Sequence, residues 1–122
     1  MAYDEYLADR VRRTLNEKHT PFEELKMMGG LCFKVNDKML CGLLQDKQSR
    51  ENLLMARIGE EAYETEIEKD CCLPMDFTGR PMRGYTFVTA DGIDSEDDLS
   101  YWIDKCLAFN PMAKSSKKSK KR

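Results

Sequence analysis

Two adjacent cysteines, Cys71 and Cys72, open the stretch CCLPMDFTGRPMRGYTF, which also carries Arg80 and Arg83 among two glycines and two prolines. A thiol attacks as its thiolate, and a nucleophilic site pairs it with a base. No base is evident here, because the only histidine, His19, stands far off in sequence. The five cysteines, Cys32, Cys41, Cys71, Cys72 and Cys106, include no C-x-x-C and show no zinc-ligand spacing. Cys71 and Cys72 would point to opposite sides of an extended chain. Their odd number, behind an N-terminus (MAYDEYLADRVRR) too polar and acidic for a signal peptide, predicts reduced structural thiols in a cytoplasmic protein. Glu60, Glu61, Glu64, Glu66 and Glu68 have the residue type for acid–base chemistry, but catalysis needs a cleft with perturbed surroundings, so they read as a solvated helix face. The expectation is a protein that is not an enzyme, with no catalytic residue, no metal site and no cofactor.

The arginines of the same stretch suggest binding instead. Thr78, Gly79, Arg80 and Pro81 are turn residues, and Pro81 removes a backbone donor, so the segment is expected to form a constrained corner. Arg80 and Arg83 could clamp carboxylates of their own domain, or meet an acidic partner with Met75, Phe77 and Met82 as the apolar part of the contact. Charge is divided unevenly along the chain. Of 20 basic residues, Lys114, Lys117, Lys118, Lys120, Lys121 and Arg122 lie in the last nine positions, leaving 14 basic against 22 acidic residues before them, a net charge near −8. Such a body is poorly suited to phosphate backbones. The tail, residues 111–122, is expected to be disordered and basic, able to make weak, salt-sensitive contact with nucleic acid.

The elements that must carry these residues follow from periodicity. Tyr3, Leu7, Val11 and Leu15 recur at helical spacing over residues 2–18, and Pro21 stops that helix near KHTP. Between Phe22 and Gly59, short apolar stretches broken by Gly-Gly, Asn-Asp and Asp-Lys-Gln-Ser predict consecutive antiparallel strands. Asn36 and Asp37 tolerate positive φ, so a two-residue hairpin loop is expected there, setting Phe33 against Leu40 and Cys32 against Cys41. A short acidic helix over 60–70 buries Tyr63 and Ile67, and GYTFVT (84–89) alternates as a strand. Ser95 then caps a last helix whose inner face holds Leu99, Trp102, Ile103, Cys106 and Leu107, closed by Asn110-Pro111. This predicts an α+β, two-layer domain over residues 1–110 with an antiparallel sheet, in the order helix, three or four strands, helix, one or two strands, helix. The methionines (Met27, Met28, Met39, Met55, Met75, Met82) suit core filling and adaptable surfaces alike.

Five segments in order, MAYDEYLADRVRRTL, KMMGGLCFKVNDKMLCG (26–42), LLMARIG (53–59), MDFTGRPMRGYTFV (75–88) and DLSYWIDKCLAF, together resemble the TfoX (Sxy) N-terminal domain family over residues 1 to about 110. Met27-Met28-Gly29-Gly30 stands where the family commonly has Met-Phe-Gly-Gly. The resemblance implies an α+β fold of secretion-chaperone-like architecture. The best-known members regulate bacterial competence with the cyclic-AMP receptor protein and carry a second, helical domain. Thirteen residues follow Phe109, so a stand-alone N-terminal domain is expected. What the resemblance implies is a protein-interaction module with a protein partner, a transcription regulator, and the alternative is a nucleic-acid-associated protein acting through its tail.

Overall fold

The computed structural model describes residues 3–27, 30–46, 50–74 and 84–113. Helix α1 (Glu5–Glu17) begins where the Asp4 carboxylate accepts the Tyr6 amide at 3.1 Å. It ends in a Schellman motif. His19 takes φ 55°, its N–H reaches the Asn16 carbonyl, and the Thr20 N–H reaches the Leu15 carbonyl, a task usually left to glycine. There follow β1 (Glu23–Met27), β2 (Gly30–Val35), β3 (Lys38–Gln45), β4 (Asn52–Arg57), α2 (Glu60–Glu66), β5 (Cys72–Pro74) and β6 (Tyr85–Val88). A single 3-10 turn (Ala90–Ile93) leads into α3 (Glu96–Phe109). Ser95 accepts the Asp98 amide at 3.0 Å, as the capping pattern requires.

The described strands make one antiparallel six-stranded sheet in the order β1-β2-β3-β4-β6-β5. All three helices contribute to the main core on one face: Leu7, Val11 and Leu15 from α1, Tyr63 from α2, and Leu99, Trp102, Ile103 and Cys106 from α3 pack against Phe33, Leu43, Leu54 and Val88. This is the expected two-layer α+β domain. Among the described residues, no helix is long and apolar enough to cross a membrane.

The hairpin between β2 and β3 forms at Asn36 (φ 57°) and Asp37 (φ 67°), with Val35 opposite Lys38. Its register departs from the one expected. A β-bulge between Phe33 and Lys34 leaves Leu40 as an extra residue, so Phe33 pairs with Cys41 and Cys32 with Gly42. Strict alternation would turn either Leu40 or Cys41 away from the helices; the bulge lets both enter the helix-side core, where they are 1% and 0% exposed. Cys32 consequently sits on the opposite face from Cys41, and the facing pair that could have formed a cross-strand disulfide does not arise. All five cysteines are free thiols.

Candidate interaction surface

The sheet face turned away from the helices carries a second apolar cluster of Leu53, Met55 and Phe87, with Met39, Leu44 and Tyr85 packed beside it. Its basis is register. Leu25 on β1 pairs with Cys32 on β2, Cys32 with Gly42 on β3, Gly42 with Met55 on β4, Met55 with Phe87 on β6, and Phe87 with Leu73 on β5. Directly opposed residues share a face, so one uncharged, largely apolar row crosses all six strands. Its ends are open: Leu25 and Leu73, on the two edge strands, are 47% and 41% exposed, whereas Met55 and Phe87 are buried. Gly42 leaves room at the centre, since a Cβ there would lie 3.3 Å from Met55 Cε and 3.6 Å from Cys32 Sγ.

The sequence-derived interaction residues Met75, Phe77, Arg80, Met82 and Arg83 lie outside the described residues, as do Lys114, Lys117, Lys118, Lys120, Lys121 and Arg122 of the tail. What is described is the framework at both ends of segment 75–83. On the near side Pro74 pairs with Thr86, whose buried hydroxyl donates to the Leu73 carbonyl at 3.1 Å. Proline suits this position because β5 is an edge strand. On the far side the Gly84 carbonyl accepts both the Ile58 and Gly59 amides, at 2.8 and 3.1 Å. Gly59 (φ 89°) and Gly84 (φ 99°) both need backbone conformations closed to most residues, and a Cβ on Gly59 would fall 2.5 Å from the Phe109 ring. The start of α2, the end of α3 and the return of the chain into β6 are thereby locked together. Arg57 stands beside this junction with its guanidinium 5.4 Å from the Tyr85 ring and 5.8 Å from the Phe109 ring.

Two charged networks join the helices. Arg10, buried on α1, donates to the carbonyls of Ile93 (2.8 Å), Asp94 (3.3 Å) and Ser95 (3.2 Å) and to Glu96 (3.1 Å), clamping the turn that leads into α3. Glu66 corrects the reading of the acidic helix as wholly solvated: its side chain is 5% exposed. Tyr101 donates to Oε2 at 2.7 Å, and Lys105 stands 3.5 Å from the same oxygen. Oε1 lies 2.7 Å from the Lys69 ammonium, a close ion pair. Burial works against this carboxylate, yet Lys69, Tyr101 and Lys105 outweigh it and hold Glu66 below the ordinary carboxylate range. The Glu66 carboxylate in turn raises the Lys69 ammonium, with Tyr101 adding to the effect. The signal was spacing, because Glu66 stands three residues after the inward-facing Tyr63 and so shares its side of the helix.

Burial disfavours the thiolate at Cys32, Cys41, Cys72 and Cys106. Burial pushes Cys41 well up and Cys106 up to about 12, and burial together with the neighbouring Cys71 pushes Cys72 up to about 11. His19 lines a groove of about 470 Å³ with Phe22, Lys34 and Asp37, and none of the cysteines borders it. Among the described residues no group of three or more His, Cys, Asp or Glu side chains is arranged to hold a metal ion.

A model of the TfoX N-terminal domain matches residues 14–110. No curated protein and no solved structure matches the chain. The match runs from Thr14, in the last turn of α1, through the whole sheet to Asn110, the C-cap of α3. On that extent, the chain belongs to the TfoX N-terminal domain family.

Proposed function

We propose that this chain is a small, non-enzymatic, cytoplasmic interaction module serving transcriptional regulation, and that it docks a protein partner, a transcription regulator, through Met75, Phe77, Arg80, Met82 and Arg83. The observation that carries this reading is the apolar row across the outer sheet face, which ends at exposed Leu73, two residues before Met75. A binding segment gains affinity when its ends are fixed beforehand, because less freedom is lost on association. The residues that flank segment 75–83 are fixed, Pro74 by its pairing with Thr86 and Gly84 by the two amides its carbonyl accepts. Two arginines beside methionines and a phenylalanine suit a partner with an apolar patch rimmed by carboxylates. Family membership supports the regulatory setting.

The second reading, contact with nucleic acid through the tail, draws on the six basic residues from Lys114 onward. A pull-down from native lysate at moderate salt separates the two, using wild type, Arg80→Glu/Arg83→Glu and a chain ending at Ala113, each verified as folded. The docking reading expects one protein held by wild type and the truncated chain, lost with the arginine reversals, and bound again as purified components. Recovery that depends on the tail and disappears with nuclease would overturn it in favour of the nucleic-acid reading.

A further inference from the structure

Adjacent cysteines in an extended strand point apart, yet here both pack toward the same helix-side core: Cys72 is a member of it, and half-buried Cys71 rests against it. The cause is local. Cys71 belongs to the turn before β5, where the Cys72 N–H returns to the Lys69 carbonyl at 3.0 Å. The Cys71 carbonyl accepts the Thr89 N–H at 2.8 Å, which fixes the backbone on its other side. Gly92 provides the space, since a Cβ there would lie 2.8 Å from Cys71 Sγ. Cys72 pairs with Val88 on β6, and Val88 Cγ1 would lie 2.6 Å from that same Cβ, so the two cysteines border one spot of the core.

We infer that Cys71 and Cys72 form a preorganised vicinal dithiol, a site for a soft thiophilic centre with two exchangeable positions, of the class of trivalent arsenicals. Half-buried Cys71 engages first, and buried Cys72 closes the chelate. With phenylarsine oxide as the probe, two As–S bonds form while arsenic loses its oxygen. Both thiol protons leave with that oxygen as one water, and no electrons are transferred. The remaining cysteines serve as internal controls: Cys41 and Cys106 are fully buried in the core, and Cys32 lies on the other sheet face.

The test incubates the reduced full chain with equimolar phenylarsine oxide, then counts and maps alkylatable thiols and measures the adduct by intact mass. The expected result is one arsenical per chain, with Cys71 and Cys72 both protected. The adduct should resist excess monothiol and be stripped by a dithiol. Cys71→Ser, at a half-exposed position, and Cys72→Ser should each weaken capture by about 100-fold or more, the loss expected when a bivalent contact becomes monovalent. Circular dichroism shows whether each variant is folded, and Cys71→Ser suffices if Cys72→Ser is not. No adduct on wild type, protection of a single thiol, or undiminished capture by folded Cys71→Ser would each overturn the inference.

Discussion

Glu66 shows how one side chain can be misjudged from its type. A glutamate in a run of glutamates is ordinarily solvated, but this one lies on the inward side of α2 and exchanges water for Lys69, Lys105 and the Tyr101 hydroxyl. Its folded-state pKa lies below the unfolded value, so its stabilising contribution is present above the ordinary carboxylate range. That contribution is lost as pH falls through the folded-state pKa. Glu66→Gln, nearly equal in volume, is expected to cost about 1–2 kcal/mol at pH 7, in line with weakening one charge-assisted hydrogen bond and losing two ion pairs. It should also shrink the stability difference between neutral and acid pH. Urea denaturation of both proteins at pH 7 and at pH 3 checks this, and an unchanged pH dependence would show that the network contributes nothing net. The role of Arg10 is hidden in the sequence for a related reason. A buried cation becomes intelligible only when its acceptors, the carbonyls of residues 93–95 more than eighty positions away, are brought to it.

At the scale of elements, glycines and a bulge set the joints. Gly59 takes φ 89° and ψ 159° at the start of α2, a region essentially reserved for glycine, and Phe109 closes over it. Gly59→Ala is therefore expected to destabilise the fold by about 2–3 kcal/mol, combining backbone strain with a steric conflict. Adding Phe109→Ala to that variant should remove the conflict but not the strain, so a double-mutant cycle should show partial recovery relative to additivity. Strict additivity would mean that the two residues do not meet. The bulge in the β2–β3 hairpin matters for a different reason. It shifts the pairing by one residue on β3, so that Leu40 and Cys41 both reach the helix side and Cys32, outward by alternation with Leu31 and Phe33, pairs with Gly42. Helix ends were easier to read, because Asp4, Ser95 and the Pro21 stop act within a few residues of their own positions.

For the whole molecule, the question is where the cooperative unit ends. Ala113 is buried, and its N–H bonds to the Asn110 carbonyl. The Asn110 side chain donates to the Val35 carbonyl at 3.1 Å and accepts from Asn36 at 3.0 Å. Lys38 reaches the Asn110 carbonyl at 3.2 Å and the Pro111 carbonyl at 3.3 Å, where a cation offsets the helix's negative end. The C-terminal turn is thus tied to the first hairpin across more than seventy residues of sequence. A chain ending at Ala113 should melt within ~2 °C of the full chain, because a ΔΔG near zero leaves the midpoint in place. Its nonspecific, salt-sensitive affinity for nucleic acid should fall, since six positive charges are gone. A clear drop in the melting midpoint would mean that residues beyond Ala113 belong to the folded unit.

The sequence by itself determined the order of elements, the two-layer α+β class, the inward faces of α1 and α3, the hairpin at Asn36–Asp37 and the family. Each of these rests on short-range information: period, cap, turn or ordered motif. The tertiary structure alone decided that Glu66 is buried, that Cys32 and Cys41 part company, that Cys71 and Cys72 turn to the same side, and that six residues align as one row from Leu25 to Leu73. The physical reason is that side-chain direction repeats predictably only inside a regular element. One bulge changes which face a residue meets, one turn rotates a neighbour, and cross-strand partners come from segments whose meeting no local pattern specifies.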